Sequence, residues 1–149
     1  MKEYLPRRKN IRLKDYDYSK EGMYFITIFI KNRIELLGKI TNNTIKLTKE
    51  GVIVEENIKM IEEIYSNIKI DEYIVMPNHI HIILLINKKR DTTISRVIKQ
   101  YKESITKKLG YAIFQKLFYE HIIRNEKEYL KIKEYIQNNI ANWKEDCYF

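Results

Sequence analysis

Two of the chain's three histidines, His79 and His81, stand one residue apart in the run EYIVMPNHIHIILLI over 72–86, where most neighbours are aliphatic. A β-branched run of this kind predicts a buried strand. Successive strand side chains point to opposite faces, so both imidazoles share one face while Ile80 takes the other. Neutral imidazole is a common ligand for divalent ions, and two side by side make half a metal site, set near a strand start by the turn at Pro77-Asn78. One histidine here would read as a satisfied core residue. Two on one face of an aliphatic strand carry a desolvation cost with no packing benefit, which favours a functional pair.

The second source of chemistry is a phenol among cations. Over 94–108, Ile94, Val97, Ile98, Tyr101 and Ile105 recur with helical period, while Arg96, Lys99, Lys102, Lys107 and Lys108 occupy the remaining positions. Oxygens at Asp91, Thr92 and Thr93 can cap the start of this helix and Gly110 can end it. On such a stripe Tyr101 reads equally as an inward packing residue and as a nucleophile with a cationic flank.

Other elements must hold these groups. Residues 23–30, rich in aromatic and β-branched side chains, read as a central strand, and 36–40 with 44–47 about Asn42-Asn43 as a hairpin extending the sheet. Thr48 suits a helix N-cap, with Val54, Ile58, Ile61 and Tyr65 as one apolar stripe. After the histidine strand and the 94–108 helix, 117–123 reads as extended, and Asn125 with Glu128 resembles the capping box of a last helix through Tyr129, Ile132, Tyr135 and Ile136. These elements predict an α+β fold, most simply a ferredoxin-like sandwich with an antiparallel sheet and helices packed on one face. The histidines would then emerge beneath the Tyr101 helix, letting metal ion and phenol meet in one cleft.

Length and charge bound the partners. The 149 residues fit one domain over 1–149, and 28 Lys+Arg against 20 Asp+Glu give +8, favouring polyanions such as nucleic acid. A basic arm over about 1–14, with Arg7, Arg8 and Arg12, reads either as a solvated tail or as an arm along a phosphate backbone. The lone cysteine, Cys147, excludes an intramolecular disulfide framework and fits a cytoplasmic setting. No apolar run is long enough to cross a bilayer, so no membrane partner is expected.

Met76-Pro-Asn-His-Ile-His81 resembles the His-hydrophobic-His signature of the single-tyrosine HUH transposases, specifically the REP-associated tyrosine transposases related to the insertion-sequence-200 type. Asn10-Ile-Arg-Leu-Lys-Asp-Tyr-Asp-Tyr18 and Gly22-Met-Tyr-Phe-Ile-Thr27 are similar to the family's opening. Phe118-Tyr-Glu-His-Ile-Ile-Arg-Asn-Glu126, Tyr135-Ile-Gln-Asn-Asn139 and Trp143 are similar to its close, so the resemblance covers nearly the whole chain. It implies cleavage and rejoining of single-stranded DNA beside hairpins through a covalent 5′-phosphotyrosine, with a divalent ion, Mg²⁺ or Mn²⁺, and no small-molecule cofactor. It also implies a homodimer. The alternative is a domesticated or inactive relative that binds DNA and keeps the fold and the metal-binding histidines.

Residue by residue, the resemblance assigns metal binding to His79 and His81, with the third ligand open among Gln100, Glu103 and His121, and His121 preferred as the remaining histidine. The family's tyrosine aligns with position 105, where this chain has Ile105. Tyr101, one turn earlier on the same helix face, is the substitute, and Tyr119 the next candidate. Arg7, Arg8, Arg12, Arg96, Lys99, Lys102 and Arg124 are the expected DNA contacts.

Overall fold

In a computed structural model of the chain, which describes residues 22–87 and 93–143, the main sheet is built about β1, Gly22–Phe29. This strand pairs antiparallel on one side with β5, His79–Ile86, and on the other with β6, Tyr119–Ile123. The strand β4, Ile68–Val75, adds outside β5, for the order β4-β5-β1-β6. Helix α1, Lys49–Ile64, crosses from β1 towards β4, and α2, Ile94–Leu109, crosses from β5 to β6. This is the split βαβ order of a ferredoxin-like α+β fold, as the sequence predicts.

The expected hairpin forms from β2, Gly38–Thr41, and β3, Thr44–Leu47, but as a separate two-stranded sheet rather than an extension of the main one. Its base is tied to the turn before His79, where Leu37 N donates to Pro77 O, and to α1, where the Thr48 hydroxyl donates to Leu36 O. That attachment leaves β4 and β6 as the edges of the main sheet.

Helices cover both faces rather than one. On one face α1 and α2 set Val54, Ile58, Ile61, Val97, Ile98 and Ile105 against Tyr24, Ile26, Ile28, Ile80, Ile82 and Leu84. On the other, helix α3, Glu126–Gln137, lays Ile132 and Ile136 on Phe25, Ile83 and Ile123. The cause lies in β1, whose aromatic and aliphatic side chains alternate without a polar face, so that water must be excluded from both sides.

Side-chain caps start each helix where the sequence places them. Thr48 accepts from Gly51 N, Thr93 from Arg96 N and Asn125 from Glu128 N. In the last case Glu128 Oε1 accepts in turn from Arg124 N, closing the predicted box one residue earlier than usual. A β-bulge at Asp71 then gives α3 its lateral anchors. Ile70 pairs with Leu84 and Glu72 with Ile83, so the extra residue reverses the phase of β4. Tyr129 donates to Asp71 Oδ2 at 2.7 Å and Gln137 to Glu72 Oε2 at 3.4 Å.

The basic arm with Arg7, Arg8 and Arg12, the capping residues Asp91 and Thr92, and Cys147 lie outside the described residues. Among the described residues no helix is long and apolar enough to cross a membrane. At Gly51 a Cβ would collide with the Leu37 carbonyl, so α1 meets the base of the hairpin only because this residue has no side chain. Gly51→Ala should therefore cost about 3 kcal/mol, the upper end of overpacking effects, in urea denaturation.

Candidate metal and nucleophile site

His79 and His81 lie on the α3 face of β5 and are 3% and 0% exposed. Their rings sit 4.7 Å apart at an interplanar angle of 72°. Each is fixed through Nδ1 by a neutral neighbour. Asn78 Oδ1 accepts from His79 Nδ1 at 2.7 Å, and His81 Nδ1 shares a 2.8 Å hydrogen bond with the Thr27 hydroxyl on the adjacent strand. Phe25 stacks on His81 and Phe29 lies beside His79, each at 5.3 Å, so the rings stand in a packed, low-dielectric wall. An imidazole held at Nδ1 presents Nε2 as its ligating nitrogen.

The side chains that close over this pair come from α3 and the turn after it. The Tyr135 ring is 5.3 Å from His81 at 66°, and Trp143 stacks on His79 at 6.3 Å and 22°. Asn139 lies between them in the sequence, in the turn just past the C-cap of α3 at Asn138. It is 1% exposed, and its Oδ1 is buried with no hydrogen-bond partner among the described residues. Sequence reasoning missed Tyr135 and Asn139 as functional groups, although both fall in the stretch Tyr135-Ile-Gln-Asn-Asn139 that it singled out. Also missed was Arg33. Its guanidinium lies over the ring of Phe29, the neighbour of His79, at 4.3 Å, on an exposed residue held at φ 52°. Asn32 before it has φ 57°, and two successive non-glycine residues in the left-handed region are a local strain of the kind found at functional sites.

The expected meeting of Tyr101 with the histidines does not occur. Tyr101 lies on the opposite face of the sheet, 5% exposed, and its hydroxyl donates to Val54 O at 2.9 Å. Burial raises its pKa well above that of a free phenol, which opposes nucleophilic use. The sequence could not exclude this, because alternation shows which residues share a face but not which helix covers it. Tyr119 is on the histidine face, but in the row His81–Thr27–Tyr119 it stands two strands from His81, about 10 Å at usual strand spacing, and packs edge-on against Phe29. His121 is on the same face beside Phe25, with Nε2 turned to Glu128 Oε2 at 3.2 Å. Among the described residues no third His, Cys, Asp or Glu joins the pair, and Gln100 and Glu103 belong to α2 across the sheet.

No family model matches the chain. An uncharacterized protein of Haemophilus influenzae is 36% identical, with 93% of this chain and 91% of that protein covered. A REP-associated tyrosine transposase of Escherichia coli K12 is 28% identical over 82% of this chain and 68% of its own length. Among solved structures, a REP-associated tyrosine transposase bound to a REP hairpin superimposes with a TM-score of 0.69 at 27% identity, covering 91% of this chain and 75% of that one. A structure from Deinococcus radiodurans R1 shares the fold, with a TM-score of 0.54 at 15% identity over 85% of this chain and 95% of that chain.

The cations expected to contact DNA divide by position. Arg96 and Lys99 are exposed on α2, across the sheet from the histidines, and Arg124 is exposed just before α3. Lys102 is a clasp: its ammonium donates to Gln115 O at 2.8 Å and Lys116 O at 3.1 Å, tying α2 to the segment that leads into β6. Desolvation lowers its pKa from 10.5 to about 8. Between those values the unfolded chain binds more protons than the folded one, so this residue's contribution to stability rises as pH climbs from about 8 to 10.5. Lys102→Met should remove that rise, read as the difference between the two proteins in urea denaturation across this pH window.

Proposed function

The chain belongs to the family of REP-associated, insertion-sequence-200-like tyrosine transposases, and on that premise we propose that it cleaves and rejoins single-stranded DNA beside hairpins, with Tyr135 as its nucleophile. The observation that carries this is the approach of the Tyr135 ring to His81, 5.3 Å away, where α3 closes over the histidine pair. The hairpin as substrate rests on the likeness to the hairpin-bound relative.

Two Nδ1-anchored imidazoles suit a divalent ion, and we take the buried Asn139 Oδ1, which follows Tyr135 in the chain, as the third ligand in place of His121. Held by these residues, Mg²⁺ or Mn²⁺ would supply Lewis-acid polarisation of the scissile phosphate. Arg33 on the rim offers a guanidinium to a neighbouring phosphate. The Tyr135 oxygen bonds to phosphorus as its proton leaves, the bond from phosphorus to the 3′ oxygen breaks, and that oxygen takes up a proton as a free 3′-hydroxyl. The 5′-phosphotyrosine keeps the phosphodiester energy, so a second 3′-hydroxyl can reverse the step without ATP. Phe25, Phe29 and Trp143 crowd the pair and limit access by water. Tyr135 and His81 meet within one chain, so the homodimer that the resemblance implies is not needed to complete the site.

Incubation with hairpin-bearing oligonucleotides and Mn²⁺, followed by a denaturing gel, should give a DNA-linked protein band. That band should vanish in Tyr135→Phe and persist in Tyr101→Phe and Tyr119→Phe; its survival in the Tyr135 variant would refute the assignment. Strand cleavage with no band would point to a phosphoesterase using water, and DNA binding with neither to the inactive relative. Metal affinity gives an independent readout. Thr27→Val removes the hydroxyl that orients His81 and should weaken Mn²⁺ binding about 10- to 100-fold in calorimetry, while His79→Ala with His81→Ala should abolish it.

A further inference from the structure

Next to the histidine pair, and sharing Trp143 with it, a cleft of about 370 Å³ opens between the tip of the β2–β3 hairpin and the turn after α3. Its wall combines an indole, the apolar side chains of Ile40 and Ile140, and the amides of Asn42, Asn43 and Asn142. Among the described residues no ionisable side chain lines it. A flat apolar surface framed by paired donors and acceptors, without charge, suits a neutral, planar, hydrogen-bonding ligand. A nucleobase has that chemistry, and a cleft of this size holds one nucleoside.

We propose that this cleft takes one unpaired base of the DNA strand next to the scissile phosphate, stacking it on Trp143 and reading its edge with the asparagine amides. This rests on the single-strand DNA reading above and adds a specificity pocket to it. Position supports the assignment. Trp143 stacks on His79, so a base against the indole belongs to a nucleotide close to the phosphate held at the histidines. The hairpin tip supports it independently. Asn42 and Asn43 have φ of 53° and 59°, a two-residue turn whose second position glycine serves at least as well, so the backbone does not by itself require two amides there. Both are exposed at the cleft, where an amide can pair with a base edge. Stacking holds any base, and the amides discriminate among them.

Trp143 is the chain's single tryptophan, so its fluorescence reports on this cleft and on the adjoining His79, which the abasic positions tell apart. The probe is a set of hairpin oligonucleotides with a single-stranded flank, intact or carrying one abasic position at a time, added to the full-length protein. The intact strand should quench Trp143, and one abasic position near the cleavage point should abolish the quench while fluorescence anisotropy still reports binding. Substituting each base at that position should reveal a preferred one, and Asn43→Ala with Asn142→Ala should reduce that preference about tenfold. The abasic scan uses the unaltered protein, so it decides the matter even if the double variant misfolds. Binding without quench, or a quench indifferent to every abasic position, overturns the pocket and leaves the DNA reading standing. Failure of any single strand to bind overturns both.

Discussion

The packing of α3 across the β5–β1 face is the constraint on which the candidate site depends. Two histidines on a strand have no directed chemistry alone, and α3 is the helix that sets Tyr135 against them. The apolar contact of Ile132 and Ile136 with Phe25 and Ile83 holds the helix down, and polar ties set its axis and rotation. Glu128 bridges His121 and the backbone before the helix, while Asp71 and Glu72 hold Tyr129 and Gln137 from the far side. Hydrogen bonds from both flanks resist rotation of α3, and a rotation of one residue, about 100°, would take Tyr135 off the histidines.

The two faces of the sheet divide the labour. The α1 and α2 side is a conventional aliphatic core, where even the phenol of Tyr101 serves structure by satisfying a helix carbonyl. The α3 side is aromatic and polar, with Phe25, Phe29, Tyr119, Tyr135 and Trp143 around the imidazoles. Aromatic rings bury much area while tolerating polar edges, so they can wall a site that must be dry and yet hold nitrogen and oxygen donors.

Much of the fold was legible because its signals are local. The stripe from Ile94 to Ile105, the caps at Thr48, Thr93 and Asn125, and the alternation that puts His79 and His81 on one face are all matters of a few neighbouring residues. What was not legible needed long-range information. Tyr101 and Tyr135 both lie on amphipathic helices, and only the tertiary arrangement shows that the first covers the wrong face. The hairpin read as part of the main sheet because nothing within 36–47 records that its base is tied to Pro77 and α1. Lys102 looked like one of a row of surface cations, and only the return of the chain at Gln115 and Lys116 shows what holds it.

The bulge at Asp71 has a further effect. Strand β4 is an edge of the main sheet, and a regular eight-residue edge would offer an uninterrupted ladder of amides and carbonyls to any other strand in solution. The extra residue breaks that ladder near its middle and sharpens the local twist, while Lys69, Asp71 and Glu72 put charge beside the break. The same irregularity that anchors the helix over the site thus makes this edge a poor template for sheet-to-sheet aggregation.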